Sequence, residues 1–201
     1  MPVSATDTRR GAGEPRRRAD AERNIAAIID AATTCFIERP QVSMADVAKA
    51  AGVGRVTLYA HFSSREALLE AVLEHVIVHS AGIIEAEAPD QGAADEALRR
   101  LVKSSWRELD RHRRLFELAQ RELGPQRLRA YHDKALAHVE RLIGRGRKEG
   151  AFRTDLPLHW LVTTFYSLLH SAGEEVNARR LRKSDVAEVL TATLLPALSP
   201  P

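Results

Sequence analysis

Cys35 is the single cysteine among 201 residues. That scarcity excludes an internal disulfide framework and a multi-cysteine zinc site, and it suits a reducing compartment. Apolar runs fall short of the ~18 to 20 residues that a membrane span needs. The polar, arginine-bearing first 20 residues lack the apolar segment of a secretory signal. No segment alternates apolar and polar residues as a half-buried strand does. An excess of one charge is missing too. The net charge is +3 with a pI near 9.3, a mild basicity compatible with nucleic acid without demanding it. Glycine-rich phosphate loops, nucleophile elbows and zinc-protease signatures are absent, so neither catalysis nor a cofactor is expected. Gly144-Arg145-Gly146-Arg147 follows a helical stripe rather than a strand, and it reads as a fraying helix end stopped at Gly150. These absences leave a cytoplasmic, all-α chain. Its 44% hydrophobic and 28% charged residues are ordinary for a globular fold.

Helical periodicity is what the chain does have. Residues 1–20 carry Arg9, Arg10, Arg16, Arg17 and Arg18 with little that could enter a core, and they read as a disordered basic arm. Contact of Arg16 to Arg18 with DNA is an expectation by analogy with N-terminal arms. From Ala21, apolar residues recur at helical spacing (Ile25, Ile28, Ile29, Ala32, Cys35, Phe36) until Arg39–Pro40, where proline disfavours helical angles in the residue before it. Further stripes follow: Leu98, Leu101, Val102, Ser105, Trp106 and Leu109, then Leu128, Tyr131, Ala135, Val139 and Leu142. Breaks are expected at Pro89 to Gly92, Gly124–Pro125, Gly150 and Pro157. Helices joined by short turns predict an all-helical bundle.

The informative segment is Ser43 to Glu66, SMADVAKAAGVGRVTLYAHFSSRE. Ser43 and Asp46 have capping-box spacing. Gly52 closes the first helix, because glycine tolerates left-handed angles. A second helix runs from Arg55 to about His61 with Leu58 and Phe62 turned inward, and Ala48 lets it cross closely. Two short helices about a glycine turn form a helix-turn-helix. Arg55, Thr57, Tyr59, Ala60 and His61 are left facing outward. Arg can bond guanine, the Thr methyl suits thymine, and Tyr and His reach phosphates. Ser63 and Glu66 have the spacing of a second box, whose helix start would attract a phosphate together with Arg65. The candidate DNA contacts are Ser43, Arg55, Val56, Thr57, Tyr59, Ala60, His61, Ser64 and Arg65.

Residues from about Asn24 to Leu69 resemble the N-terminal domain of the tetracycline-repressor (TetR) family of bacterial regulators. The matching residues are Ala31-Ala32, Phe36, Val42-Ser43-Met44, Val47-Ala48, Ala51-Gly52-Val53, Thr57-Leu58-Tyr59, His61-Phe62 and Arg65-Glu66-Ala67-Leu68. Where Gly54 stands the family often has Ser or Thr, a small residue is common where Val56 stands, and Lys is common where Arg65 stands. The resemblance implies a three-helix DNA-binding domain at 21–69 and a helical ligand-binding and dimerisation domain at 70–201. It implies a repressor released from operator DNA by a small-molecule effector.

In the second domain, Leu158 to about Ala178 and the helix from near Ser184 (Val186, Val189, Leu190, Leu194, Leu195) are apolar on most sides. Burial on both faces predicts a homodimer built on these two helices, a prediction that leans partly on the resemblance. The middle helices would enclose the effector among Trp106, Phe116, Tyr131, Trp160, Phe165, Tyr166 and His170. Cys35 reads as a small buried hydrophobe. His75 and His79, four apart on one helix, do not make a metal site by themselves. The competing reading is a helical interaction or metal-sensing protein that uses the helix-turn-helix only for packing.

Overall fold

The computed structural model describes the backbone of residues 14–86 and 91–201, and the side chains of all but 14–18, 134 and 135 among these. They form ten α-helices and one 3-10 turn, with no strand among the described residues. The chain divides into two compact units, one ending at Val72 and one running from Leu73 to Pro201.

The first unit holds α1 (Glu14–Glu38), α2 (Met44–Ala50), α3 (Arg55–His61) and the start of α4 (Arg65–Ala86). Its core is Ile28, Ala32 and Phe36 from α1, Val47 and Ala48 from α2, Leu58 from α3, Phe62, and Leu68, Leu69 and Val72 from α4. α1 begins at Glu14, seven residues before the expected start at Ala21. Residues 14–20, expected in the disordered arm, are Glu, Pro, three Arg, Ala and Asp; proline is tolerated in a first turn, and with no apolar stripe periodicity could not register this start. Arg9 and Arg10 lie outside the described residues.

The second unit holds the rest of α4, then α5 (Ala94–Arg111), α6 (Arg113–Leu123), α7 (Pro125–Ala135), α8 (Ala137–Lys148), α9 (Leu158–Asn177) and α10 (Val186–Leu198). Leu98, Leu101 and Val102 of α5 share its core with Val139, Leu142 and Ile143 of α8, Leu161 and Phe165 of α9, and Leu190 and Leu194 of α10.

Two helix breaks carry no sequence mark. His112 (φ −107°, ψ 13°) separates α5 from α6, and Leu136 (φ −79°, ψ −4°) separates α7 from α8. Neither break needs a glycine or proline, and the apolar stripe continues across both. The stripe from Leu128 to Leu142 therefore read as one helix. The Gly144–Arg147 stretch is also firmer than expected. α8 continues to Lys148, and Gly146 is buried so close to the Phe152 ring that a Cβ there would lie 2.2 Å from it.

α4 has the length and hydropathy of a membrane span, more than the apolar runs in the sequence suggested. Its Leu68, Leu69, Val72, Leu73, Val76 and Ile77 are all buried in this fold, and Glu70, Glu74, His75 and His79 interrupt it.

Candidate nucleic-acid interface and ligand cavity

The helix-turn-helix is built by local chemistry at each joint. Ser43 caps α2. The Asp46 N–H donates to Ser43 Oγ (3.2 Å) and the Ser43 N–H donates to Asp46 Oδ2 (3.3 Å), completing a capping box. Hydrogen bonds from the Ser43 hydroxyl, and then from its N–H, hold the exposed Asp46 carboxyl below its ordinary range. At the other end Gly52 adopts φ 68°. The Gly52 N–H then reaches Lys49 O (3.2 Å) and the Val53 N–H reaches Ala48 O (3.0 Å). That pair is a Schellman motif, which satisfies the last carbonyls of α2 and turns the chain toward α3. Gly54 precedes α3 without a side-chain cap.

Leu58 is wholly buried under α3 and Phe62 nearly so, which leaves the opposite side free. Val56 is 85% exposed and Tyr59 52%. Arg55 and Ala60 are exposed, and Thr57 and His61 are half-buried. Of the α3 residues named from the sequence, Arg55, Val56, Tyr59 and Ala60 are uncovered and Thr57 and His61 partly so.

Two expectations are revised at the start of α4. The cap is Ser64 rather than Ser63. Ser64 Oγ accepts from the Ala67 N–H (3.1 Å). The partner three residues on is thus Ala67, which cannot reciprocate, so no second capping box forms. Arg65 is turned inward. Its two terminal nitrogens donate to the carbonyls of Pro40 and Val42, and the guanidinium lies 4.7 Å from the centre of the Phe36 ring. The side chain pins the α1–α2 loop to α4, a positioning role in place of the expected phosphate contact. Arg65→Ala is expected to destabilise the first unit by about 2–3 kcal/mol, since two charge-assisted bonds and two carbonyls lose partners. Its salt dependence of DNA binding should stay that of wild type. A shallower salt slope in an anisotropy titration would return Arg65 to the phosphate contacts.

The second unit encloses a cavity with about 510 Å3 of empty space, part of it open to solvent. Its enclosed part is about 60 Å3. The wall takes Ile77, Ser80, Ala81 and Ile84 from α4, and Ser105, Glu108 and Leu109 from α5. The other side is formed by Phe116, His132, Leu136 and His138, with Phe165, Tyr166, Leu169 and His170 from α9. The larger figure counts open space, and the enclosed part lies well below the ~300–1,000 Å3 of preformed small-molecule sites. A ligand must therefore displace side chains to settle.

Four residues named from the sequence line this cavity: Phe116, Phe165, Tyr166 and His170. Trp106, Tyr131 and Trp160 do not. Trp106 is buried elsewhere in the core, Tyr131 is half-buried, and Trp160 is 55% exposed near the start of α9. Their helical phases point them away from it, a detail that aromatic spacing alone does not contain.

Phe116, His132, Tyr166 and His170 form a ring cluster, with the His132 and His170 centroids 5.1 Å apart and those of Tyr166 and His170 4.3 Å apart. Burial pushes His170 down to about 3, aided by His132 and Arg129. It also lowers His132, which donates from Nδ1 to Leu128 O (2.9 Å). Burial thus favours the neutral form of both rings. Burial raises the Tyr166 hydroxyl, and the Arg129 guanidinium sits 4.2 Å from the centre of its ring.

Sequence reasoning missed Glu108, which is 2% exposed. Ser80 Oγ donates to its Oε2 (3.2 Å), tying α4 to α5. One signal could have found it. Glu108 stands seven residues after Leu101 and three after Ser105, so it falls on the buried stripe of α5.

Comparison with known proteins agrees with this architecture. The family model described as bacterial regulatory proteins, tetR family, matches residues 28–72. The HTH-type transcriptional repressor LfrR of Mycolicibacterium smegmatis is 31% identical over 185 residues, spanning 85% of this chain and 88% of LfrR. The HTH-type transcriptional regulator NfxB of Pseudomonas aeruginosa is 26% identical over 179 residues, spanning 87% of this chain and 94% of NfxB. The crystal structure of LfrR in complex with proflavine superposes with a TM-score of 0.62 at 29% identity, covering 87% of this chain and 96% of that one. With the helix-turn-helix geometry and these likenesses together, the chain belongs to the tetR family of bacterial regulatory proteins.

Proposed function

We propose that this regulator is a transcriptional repressor acting in the bacterial cytoplasm. It reads operator DNA with α3 and releases it when a small molecule fills the α4–α5–α9 cavity, with no catalytic step. The observation that carries the DNA reading is the uncovered side of α3. A helix anchored by Leu58 leaves Val56 and Tyr59 in solvent beside Arg55. A helix used only for packing would have these apolar groups covered. Arg55 supplies the guanine contact, Val56 and Thr57 offer methyl groups to thymine, and Tyr59 and His61 reach phosphates.

Arg55→Ala is expected to cost about 1–3 kcal/mol of specific binding and to relax base preference. Fluorescence anisotropy against the DNA flanking the chain's own gene measures both. Unchanged affinity with unchanged preference removes Arg55 from the readout.

The cavity supports the effector reading because four of its lining residues come from α4, the helix that begins at the end of the helix-turn-helix. A ligand that favours a different position of α4 weakens DNA binding, and DNA weakens ligand binding by the same factor. LfrR in complex with proflavine supports a small-molecule ligand for the same fold. Two recognition helices reading successive major grooves need a separation near ~34–36 Å, so the repressor is proposed to work as a homodimer. Val189 (exposed), Ala192 and Pro196 on α10 and Trp160 on α9 offer an apolar surface for the partner. Val189→Glu is expected to shift the protein to monomer in sedimentation at micromolar concentration and to weaken operator binding. A variant that stays dimeric places the interface elsewhere.

A further inference from the structure

We propose that the effector, on the reading given above, is an aromatic organic cation whose N–H group is received by Glu108. A buried carboxylate is costly unless donors surround it. Glu108 has one such donor, the Ser80 hydroxyl on Oε2. Its Oε1 is buried and accepts no hydrogen bond among the described residues. The nearest charges to Oε1 are on its own helix, Arg111 Nη1 at 3.5 Å and Arg107 Nε at 3.8 Å. Both arginine side chains are about half exposed, so water carries much of their charge. Glu108 thus lines a largely apolar chamber with one oxygen held only by two solvent-screened ion pairs and by no hydrogen bond, an arrangement that a ligand N–H completes.

The rest of the chamber fits the organic part of such a ligand. Phe116 and Phe165 supply aromatic surfaces, which attract cations. The neutral His132 and His170 do not repel a positive charge. The far side is marked differently. Arg129 lies over Tyr166 there, so the ligand's charge is directed toward Glu108 and its apolar end toward the ring cluster. Because Glu108 also holds Ser80 of α4, the same carboxylate would serve the ligand and the helix leading to the DNA reader.

The test titrates the full chain near neutral pH with two probes of similar shape, cationic 9-aminoacridine and neutral acridine. Wild type is expected to bind the cation at least about tenfold more tightly, the scale of a charged hydrogen bond. Glu108→Gln should erase that preference by weakening the cation alone, with acridine serving as the fold control. Arg111→Ala, which removes a competing charge from a half-exposed site, should tighten cation binding several-fold. Equal binding of the two probes by wild type, failure to bind the cation, or a preference that persists in Glu108→Gln overturns the proposal. If Glu108→Gln loses both probes, Arg111→Ala decides, and cation affinity that is unchanged or weaker overturns it. Operator release is read separately. A cation that binds through Glu108 without releasing DNA sinks the effector reading and leaves the ligand class standing. Release by acridine with no role for Glu108 does the reverse.

Discussion

Leu58→Ala is expected to abolish operator binding although no atom on the outer face of α3 changes. Leu58 is the residue of this seven-residue helix that is fully buried, beside Val47, Ala48 and Phe62 in the small first-unit core. Truncating a buried leucine costs about 2–5 kcal/mol, through lost transfer energy and the cavity left behind. A whole domain is held by only ~5–15 kcal/mol, so a unit this small loses a large share of its stability. Hydrogen exchange of the α2 and α3 amides should accelerate toward the unfolded limit, with DNA affinity falling alongside. The contrast with Arg55→Ala is diagnostic, because the reader substitution keeps exchange protection and loses affinity by sequence. Wild-type protection and affinity in Leu58→Ala would mean that α3 is held by something other than this core.

Phe165→Ala is the larger test in the second unit. The ring is 1% exposed and forms part of the cavity wall. Its removal is expected to cost about 3–5 kcal/mol, seen as a lower thermal midpoint by the fluorescence of Trp106. The enlarged space should accept a small aromatic such as benzene where Phe165 stood. Added benzene should then raise the variant's midpoint with concentration, and the wild type's far less. A loss under about 1 kcal/mol, or equal benzene effects in both proteins, would show that Phe165 does not fill this wall.

Features that depend on a few neighbouring residues were legible in the sequence. The Ser43–Asp46 box, the left-handed Gly52 and the inward pair Leu58 and Phe62 each follow from the chemistry of adjacent positions, and the structure has all of them. The start of α4 was less legible, since Ser63 and Ser64 both offer a capping hydroxyl and only the backbone path chooses between them. The inward partners of Arg65 were not legible, because the carbonyls of Pro40 and Val42 lie more than twenty residues back in the chain. The cavity shows the same limit. Phe116, Phe165, Tyr166 and His170 converge on it while Trp106, Tyr131 and Trp160 do not, because each depends on helix phase and on bends at His112 and Leu136 that leave no glycine or proline signal. Glu108 hid in a charged segment, RELDR, whose composition reads as solvent-facing.

Those bends have a kinetic consequence. Between His112 and Leu136 the chain makes two helices of eleven residues each, parted by Gly124 at φ 84°. Helices shorter than ~12–15 residues are marginal by themselves and rely on what they pack against. Local opening of this stretch is therefore expected, checked by hydrogen exchange of its amides. It also carries Phe116 and His132, so a guest too large for the closed chamber would be admitted when it opens. Association of such a guest is then expected to fall below the diffusion rate and to steepen with temperature, which stopped-flow binding at two temperatures checks.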